Sequence, residues 1–173
     1  MKVLRSTALI LCALVLTLPA QAKPKLDKLK FVFEGKTRTY YTFVPDKAGP
    51  LPVLLLLHGS GRDGEVAATP WKDLAAREGI ILVAPDAFNS DGWNFQMDPP
   101  RFMHALVEKV KTQHAVDDSR IYLFGHSAGA VMALIFAVVD SHYYASVALH
   151  AGALNKQQYD VFPYAERRTP IFI

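Results

Sequence analysis

The chain has 173 residues, 51% of them hydrophobic and 20% charged, with 19 Lys and Arg against 16 Asp and Glu for a formal net charge of +3. This length and apolar content suit one domain with its own core, and a single cysteine, Cys12, excludes a fold built on disulfides. So small a charge excess gives no electrostatic footprint for nucleic acid.

Residues 1–22 carry Lys2 and Arg5, an apolar run from Ala8 to Leu18, and Pro19-Ala20-Gln21-Ala22, whose Ala-x-Ala ending suits cleavage before Lys23. The pattern predicts a signal peptide over 1–22 and a secreted or periplasmic domain over 23–173. The run is shorter than the roughly 20 apolar residues of a spanning helix, so no membrane partner is expected after cleavage. Cys12 lies in the leader, which leaves the mature segment without a thiol. Loss of Lys2 and Arg5 leaves 17 basic residues against 16 acidic ones. Lys23 to Lys30, with four lysines and a proline, reads as a solvated lead-in.

Leu29 to Glu34 and Thr37 to Val44 are β-prone and separated by Gly35-Lys36, which predicts an N-terminal antiparallel hairpin. Continuous apolar runs at Pro52 to Leu57, Ile80 to Ala84 and Ile121 to Phe124 read as strands buried on both faces, as in a parallel sheet. Helices are predicted between and after them: Trp71 to Arg77, Arg101 to Gln113 with Phe102, Leu106, Val107 and Val110 on one face, and Ala128 to Val139. A short strand follows at Ala145 to Leu149, and Thr169 to Ile173 reads as the opening of another. This alternation predicts a three-layer α/β sandwich with a mostly parallel central sheet and ligands at the carboxyl ends of its strands.

Gly125-His126-Ser127-Ala128-Gly129 falls where a predicted strand gives way to a predicted helix. A serine on a sharp strand-to-helix turn needs small neighbours, and a G-x-S-x-G in this context marks Ser127 as the candidate nucleophile. The amide of Ala128, at the helix start, is a candidate oxyanion donor. Ser60, in the glycine-rich His58-Gly59-Ser60-Gly61 after an earlier strand, is the second. His58 and His126 are candidate pocket residues. His150 ends a strand expected beside that of Ser127 and is a weak surrogate base; Asp140 and His142 lie at the far end of the Ser127 helix, on the order of 20 Å away. His104 and His114 have no identifiable partner. Gly59 to Gly64 also fits G-x-G-x-x-G, but Asp86 sits poorly for a ribose, so no nucleotide cofactor is expected. No zinc-ligand spacing recurs, and no metal is expected either.

Leu54 to Gly61 (LLLLHGSG), Leu74 to Pro85 (LAAREGIILVAP), Gly92 to Phe95 (GWNF), Val116 to Gly129 (VDDSRIYLFGHSAG) and His150 to Gly152 (HAG) together resemble the secreted α/β-hydrolase esterases of the poly(3-hydroxybutyrate) depolymerase and feruloyl esterase type. The resemblance covers roughly residues 50 to 173. It implies the α/β-hydrolase fold, hydrolysis of short acyl, hydroxyalkanoate or feruloyl-type esters, and a place for Trp93 lining the acyl or aromatic pocket. Ser60 and Gly92 stand where many relatives carry cysteines, and Ala130 replaces a frequent glycine. The family's catalytic acid follows the strand that begins here at Pro170, and its histidine follows one strand later. The chain is therefore expected to be a C-terminally truncated esterase, impaired in turnover and prone to self-association through its last strand. A prolyl-oligopeptidase-like serine peptidase and a non-catalytic secreted binding protein are the alternatives.

Overall fold

The computed structural model describes residues 25–155 and 165–173. The expected signal peptide over 1–22, with Cys12 and its cleavage site, lies outside the described residues.

The described chain runs β1 (Asp27–Phe33), β2 (Lys36–Phe43), β3 (Leu51–Leu57), α1 (Gly64–Ala68), a 3-10 turn (Thr69–Trp71), α2 (Lys72–Glu78), β4 (Ile81–Pro85), α3 (Pro100–Lys111), β5 (Val116–His126), α4 (Ala128–Val139), β6 (Ser146–His150) and β7 (Ile171–Phe172). One seven-stranded sheet has the order β1-β2-β4-β3-β5-β6-β7. β1 and β2 are antiparallel to each other, and β2 is antiparallel to β4; every later neighbour pairs parallel.

Alternation along the central strands divides the core. Val53, Leu55 and Leu57 of β3 face one side with Leu123, where they meet Phe102, Met103, Leu106 and Val107 of α3 and Ala133 and Phe136 of α4. Leu54 and Leu56 face the other side with Phe124, against Ala68, Trp71 and Ala75. A strand apolar at every position suits a sheet covered on both faces, and each fully buried aliphatic side chain contributes about 1.5–3 kcal/mol. The result is the three-layer α/β sandwich that the sequence predicts.

Four local expectations change. The hairpin turns on Glu34-Gly35, with φ of 49° and 75°, because the register pairs Phe33 with Lys36. Lys28 and Lys30 are not a lead-in but part of β1. A five-residue helix, α1, precedes the expected one; Asp63 starts it by accepting from the Val66 N–H at 2.9 Å. β5 begins at Val116, well before Ile121, with a register shift against β3. The polar Asp117-Asp118-Ser119-Arg120 stretch fills that irregularity, where Asp117 accepts from the Ser119 N–H and hydroxyl and from Arg120.

Candidate active site

β5 ends at His126 and α4 begins at Ala128, so Ser127 alone makes the turn between them. Its backbone stands at φ 55°, ψ −117°, a region that side chains with a Cβ avoid at a cost of about 1–3 kcal/mol. Both of its backbone groups are held. The N–H donates to the His150 carbonyl at 2.9 Å, and the carbonyl accepts from Ala130 at 2.9 Å and Val131 at 3.1 Å. The flanking glycines are required by approach: a Cβ on Gly125 would strike the Gly129 carbonyl, and one on Gly129 would strike the Leu57 carbonyl. α4 thus sits directly on the carboxyl ends of β3 and β5.

The loop after β3 presses against this turn, since a Cβ on Gly59 would stand 3.4 Å from that of Ser127. His58, only 2% exposed, anchors the loop. Its Nε2 accepts from the Ala87 N–H at 3.0 Å, so Nδ1 carries the proton and donates to the Gly59 carbonyl at 2.8 Å. Trp93 Nε1 donates to the His58 carbonyl at 2.8 Å, with the two rings 4.9 Å apart. Trp93 therefore braces the loop and is not among the residues lining the cleft beside Ser127.

The Gly61 N–H bonds to Ser90 and the Arg62 N–H to Gly59, whereas the amides of Ser60 and Ala128 have no acceptor among the described residues. These two residues are close neighbours. A Cβ on Gly92 would lie 3.2 Å from Ser60 Oγ and 3.7 Å from the Ala128 Cβ.

A cleft of roughly 820 Å³ opens in front of Ser127, lined by the polar His58, Ser60, His126 and His150 and by the apolar Val66, Trp71, Leu74 and Phe124. His126 and His150 pair in register at the ends of β5 and β6, and their Nδ1 atoms are 2.9 Å apart, so one ring donates to the other. Among the described residues no side chain hydrogen-bonds to the Ser127 hydroxyl.

The remaining histidines are elsewhere. His104 Nε2 meets Asp140 Oδ2 at 2.7 Å under the stacked ring of Tyr143. This pair sits at the far end of the 12-residue α4, about 18 Å of helix from Ser127. His142 lies 3.5 Å from Glu166. Asp86 is also engaged, accepting from the Gly64 N–H at 2.8 Å, and so fixes the last glycine of the G-x-G-x-x-G stretch to the sheet.

The sequence reading missed the apolar wall and Arg62 beside it. Val66 and Trp71 reach the cleft only because α1 and the 3-10 turn fold over the strand ends, and the available signal was Asp63 as the cap of a helix containing Val66-Ala67-Ala68.

Residues 101–163, from α3 past Ser127 and β6, match the family described as Esterase PHB depolymerase. Feruloyl esterase B of Neurospora crassa is 29% identical over 126 residues, 65% of this chain and 43% of that protein. A bifunctional acetylxylan esterase/xylanase of Neocallimastix patriciarum is 28% identical over 103 residues, 57% of this chain and 15% of that protein. The crystal structure of a thermostable esterase superposes with a TM-score of 0.67 at 19% identity, over 84% of this chain and 45% of that one. The chain thus spans less than half the length of these relatives. It carries the α/β-hydrolase fold, and its sequence is similar to carboxylic ester hydrolases and, over residues 101–163, to the family described as Esterase PHB depolymerase.

Proposed function

We propose that the chain belongs to a secreted carboxylic ester hydrolase in which Ser127 attacks the ester carbonyl and carries the acyl group. The observation that carries this reading is the strained backbone of Ser127, φ 55°, at a strand-to-helix turn where glycines admit the closest approach. In the attack, the hydroxyl proton passes to His150 as the Oγ–carbon bond forms, the oxyanion is held by the free amides of Ser60 and Ala128, and its collapse breaks the ester C–O bond and expels the alcohol, which takes up that proton. Water, giving a proton to the same base, then attacks the acyl carbonyl, and the acid leaves as the Ser127 hydroxyl is restored. His126 contacts substrate from the cleft wall, and His58 and Trp93 hold the donor loop in place. His150 is the weak surrogate base, since it lines the same cleft and its carbonyl already holds the Ser127 amide.

Short acyl, hydroxyalkanoate and feruloyl-type esters are the expected substrates, from the kinship to feruloyl esterase and to the Esterase PHB depolymerase family. Residues 1–22 act as the signal peptide and 23–173 as the hydrolase domain, a reading that rests on the leader pattern alone. The test is hydrolysis of p-nitrophenyl acetate and butyrate. Ser127→Ala abolishes turnover and labelling by a fluorophosphonate, with a thermal midpoint at or above that of the parent; activity that survives in Ser127→Ala overturns the assignment.

A further inference from the structure

We propose that Arg62 is a specificity-determining residue that makes the cleft selective for esters bearing a free carboxylate. The inference rests on the esterase reading of Ser127 and adds a substrate class to it. The cleft presents two chemistries beside Ser127. One wall is apolar, formed by Val66, Leu74, Trp71 and Phe124, with Val66 51% exposed and the Trp71 and Phe124 rings edge-on at 4.8 Å. Half-exposed apolar side chains gathered on one concave surface suit an aromatic or aliphatic body.

The other chemistry is a cation. Arg62 lines the same cleft, and its N–H, bonded to the Gly59 carbonyl at 3.2 Å, fixes its backbone two residues beyond the donor Ser60. Arg38, Arg77, Arg101 and Arg120 each hold a carboxylate. Arg62 holds none among the described residues; the adjoining Asp63 carboxylate accepts from the Val66 N–H as the cap of α1. An unpaired guanidinium at the edge of an apolar wall presents a planar fork of donors matched to a carboxylate. Ser60 and Arg62 stand in one tight turn, closed by that Arg62 N–H bond to the Gly59 carbonyl, so a short apolar body bridges an ester at Ser60 and an anion at the Arg62 side chain.

The test titrates Ser127→Ala calorimetrically with the monomethyl and dimethyl esters of 1,4-phenylenediacetic acid, which differ in one free carboxylate. The monoacid binds about fivefold tighter at low salt, as expected for a solvent-accessible ion pair. The ratio falls towards one in Arg62→Gln, is partly restored in Arg62→Lys, and shrinks at roughly 0.5 M salt. A ratio near one in the Ser127→Ala parent, failure of the monoacid to bind, or a ratio unchanged in Arg62→Gln overturns the proposal. Because binding is read without turnover, an inert Ser127 sinks the esterase reading and leaves these ratios standing. An active Ser127 with a flat ratio does the reverse.

Discussion

Asp98 has no solvent exposure and accepts three hydrogen bonds, from the Arg38 guanidinium, the Phe88 N–H at 3.0 Å and the Asn94 N–H at 3.1 Å. Arg38, itself 4% exposed, also reaches the carbonyls of Asp86 and Met97 and lies 3.8 Å over the Phe102 ring. The pair ties the 86–98 loop to β2, and that loop carries Gly92 and Trp93, the two residues that support Ser60 and His58. Removing one member of a buried pair strands the other charge. Asp98→Ala is therefore expected to cost about 3–5 kcal/mol in urea denaturation, and to lower turnover with it as the donor loop loses its brace. No local pattern marks either residue, because an arginine in a hairpin strand and an aspartate before a proline are ordinary surface choices until the fold brings them together 60 positions apart. Ser127 is the opposite case: its role is legible because the strained turn imposes glycines on both sides within five residues.

The seating of α4 is the element-scale determinant of the site. Its start at Ala128 and end at Val139 were readable from composition, since the helix is apolar nearly all round, as a helix buried against a sheet must be. Its closeness to β3 depends on Gly129, where a Cβ would meet the Leu57 and His58 carbonyls. Backbone carbonyls in a sheet cannot swing aside, so Gly129→Ala must displace the helix. The expected outcome is a loss of about 1–3 kcal/mol or more in chemical denaturation together with loss of fluorophosphonate labelling at Ser127, because moving α4 moves the Ala128 amide. Unchanged stability and labelling would mean that the helix does not bear on the sheet there. Elements bounded by tertiary contacts rather than by their own pattern were less legible. α1 is five residues long and needs the Gly64 N–H bond to Asp86 to hold it against β4. The amino-terminal part of β5 is polar and joins the sheet through Leu51 pairing with Val116.

At the scale of the whole molecule, stability at high pH depends on buried phenols. Burial pushes the phenol pKa of Tyr40, Tyr143 and Tyr144 above the ordinary tyrosine value, most strongly for the last two, whose hydroxyls have no hydrogen-bond partner among the described residues. The unfolded chain releases these protons near pH 10 while the folded chain retains them. Their contribution is therefore complete below pH 10 and is lost above it, by about 1.4 kcal/mol per pH unit for each tyrosine. Spectrophotometric titration is expected to show these tyrosines ionising only as the near-ultraviolet dichroism collapses; ionisation in the folded protein would show that they are not sealed. The two sheet edges differ in kind. β1 presents exposed Lys28 and Lys30, charges that discourage pairing with another chain. β7 joins β6 through Ile171 opposite Val147 and Phe172 opposite Ala148, and its outer side meets no further strand among the described residues. Ile171, Phe172 and Ile173 are 38%, 65% and 98% exposed, an apolar edge without a guarding charge in the strand.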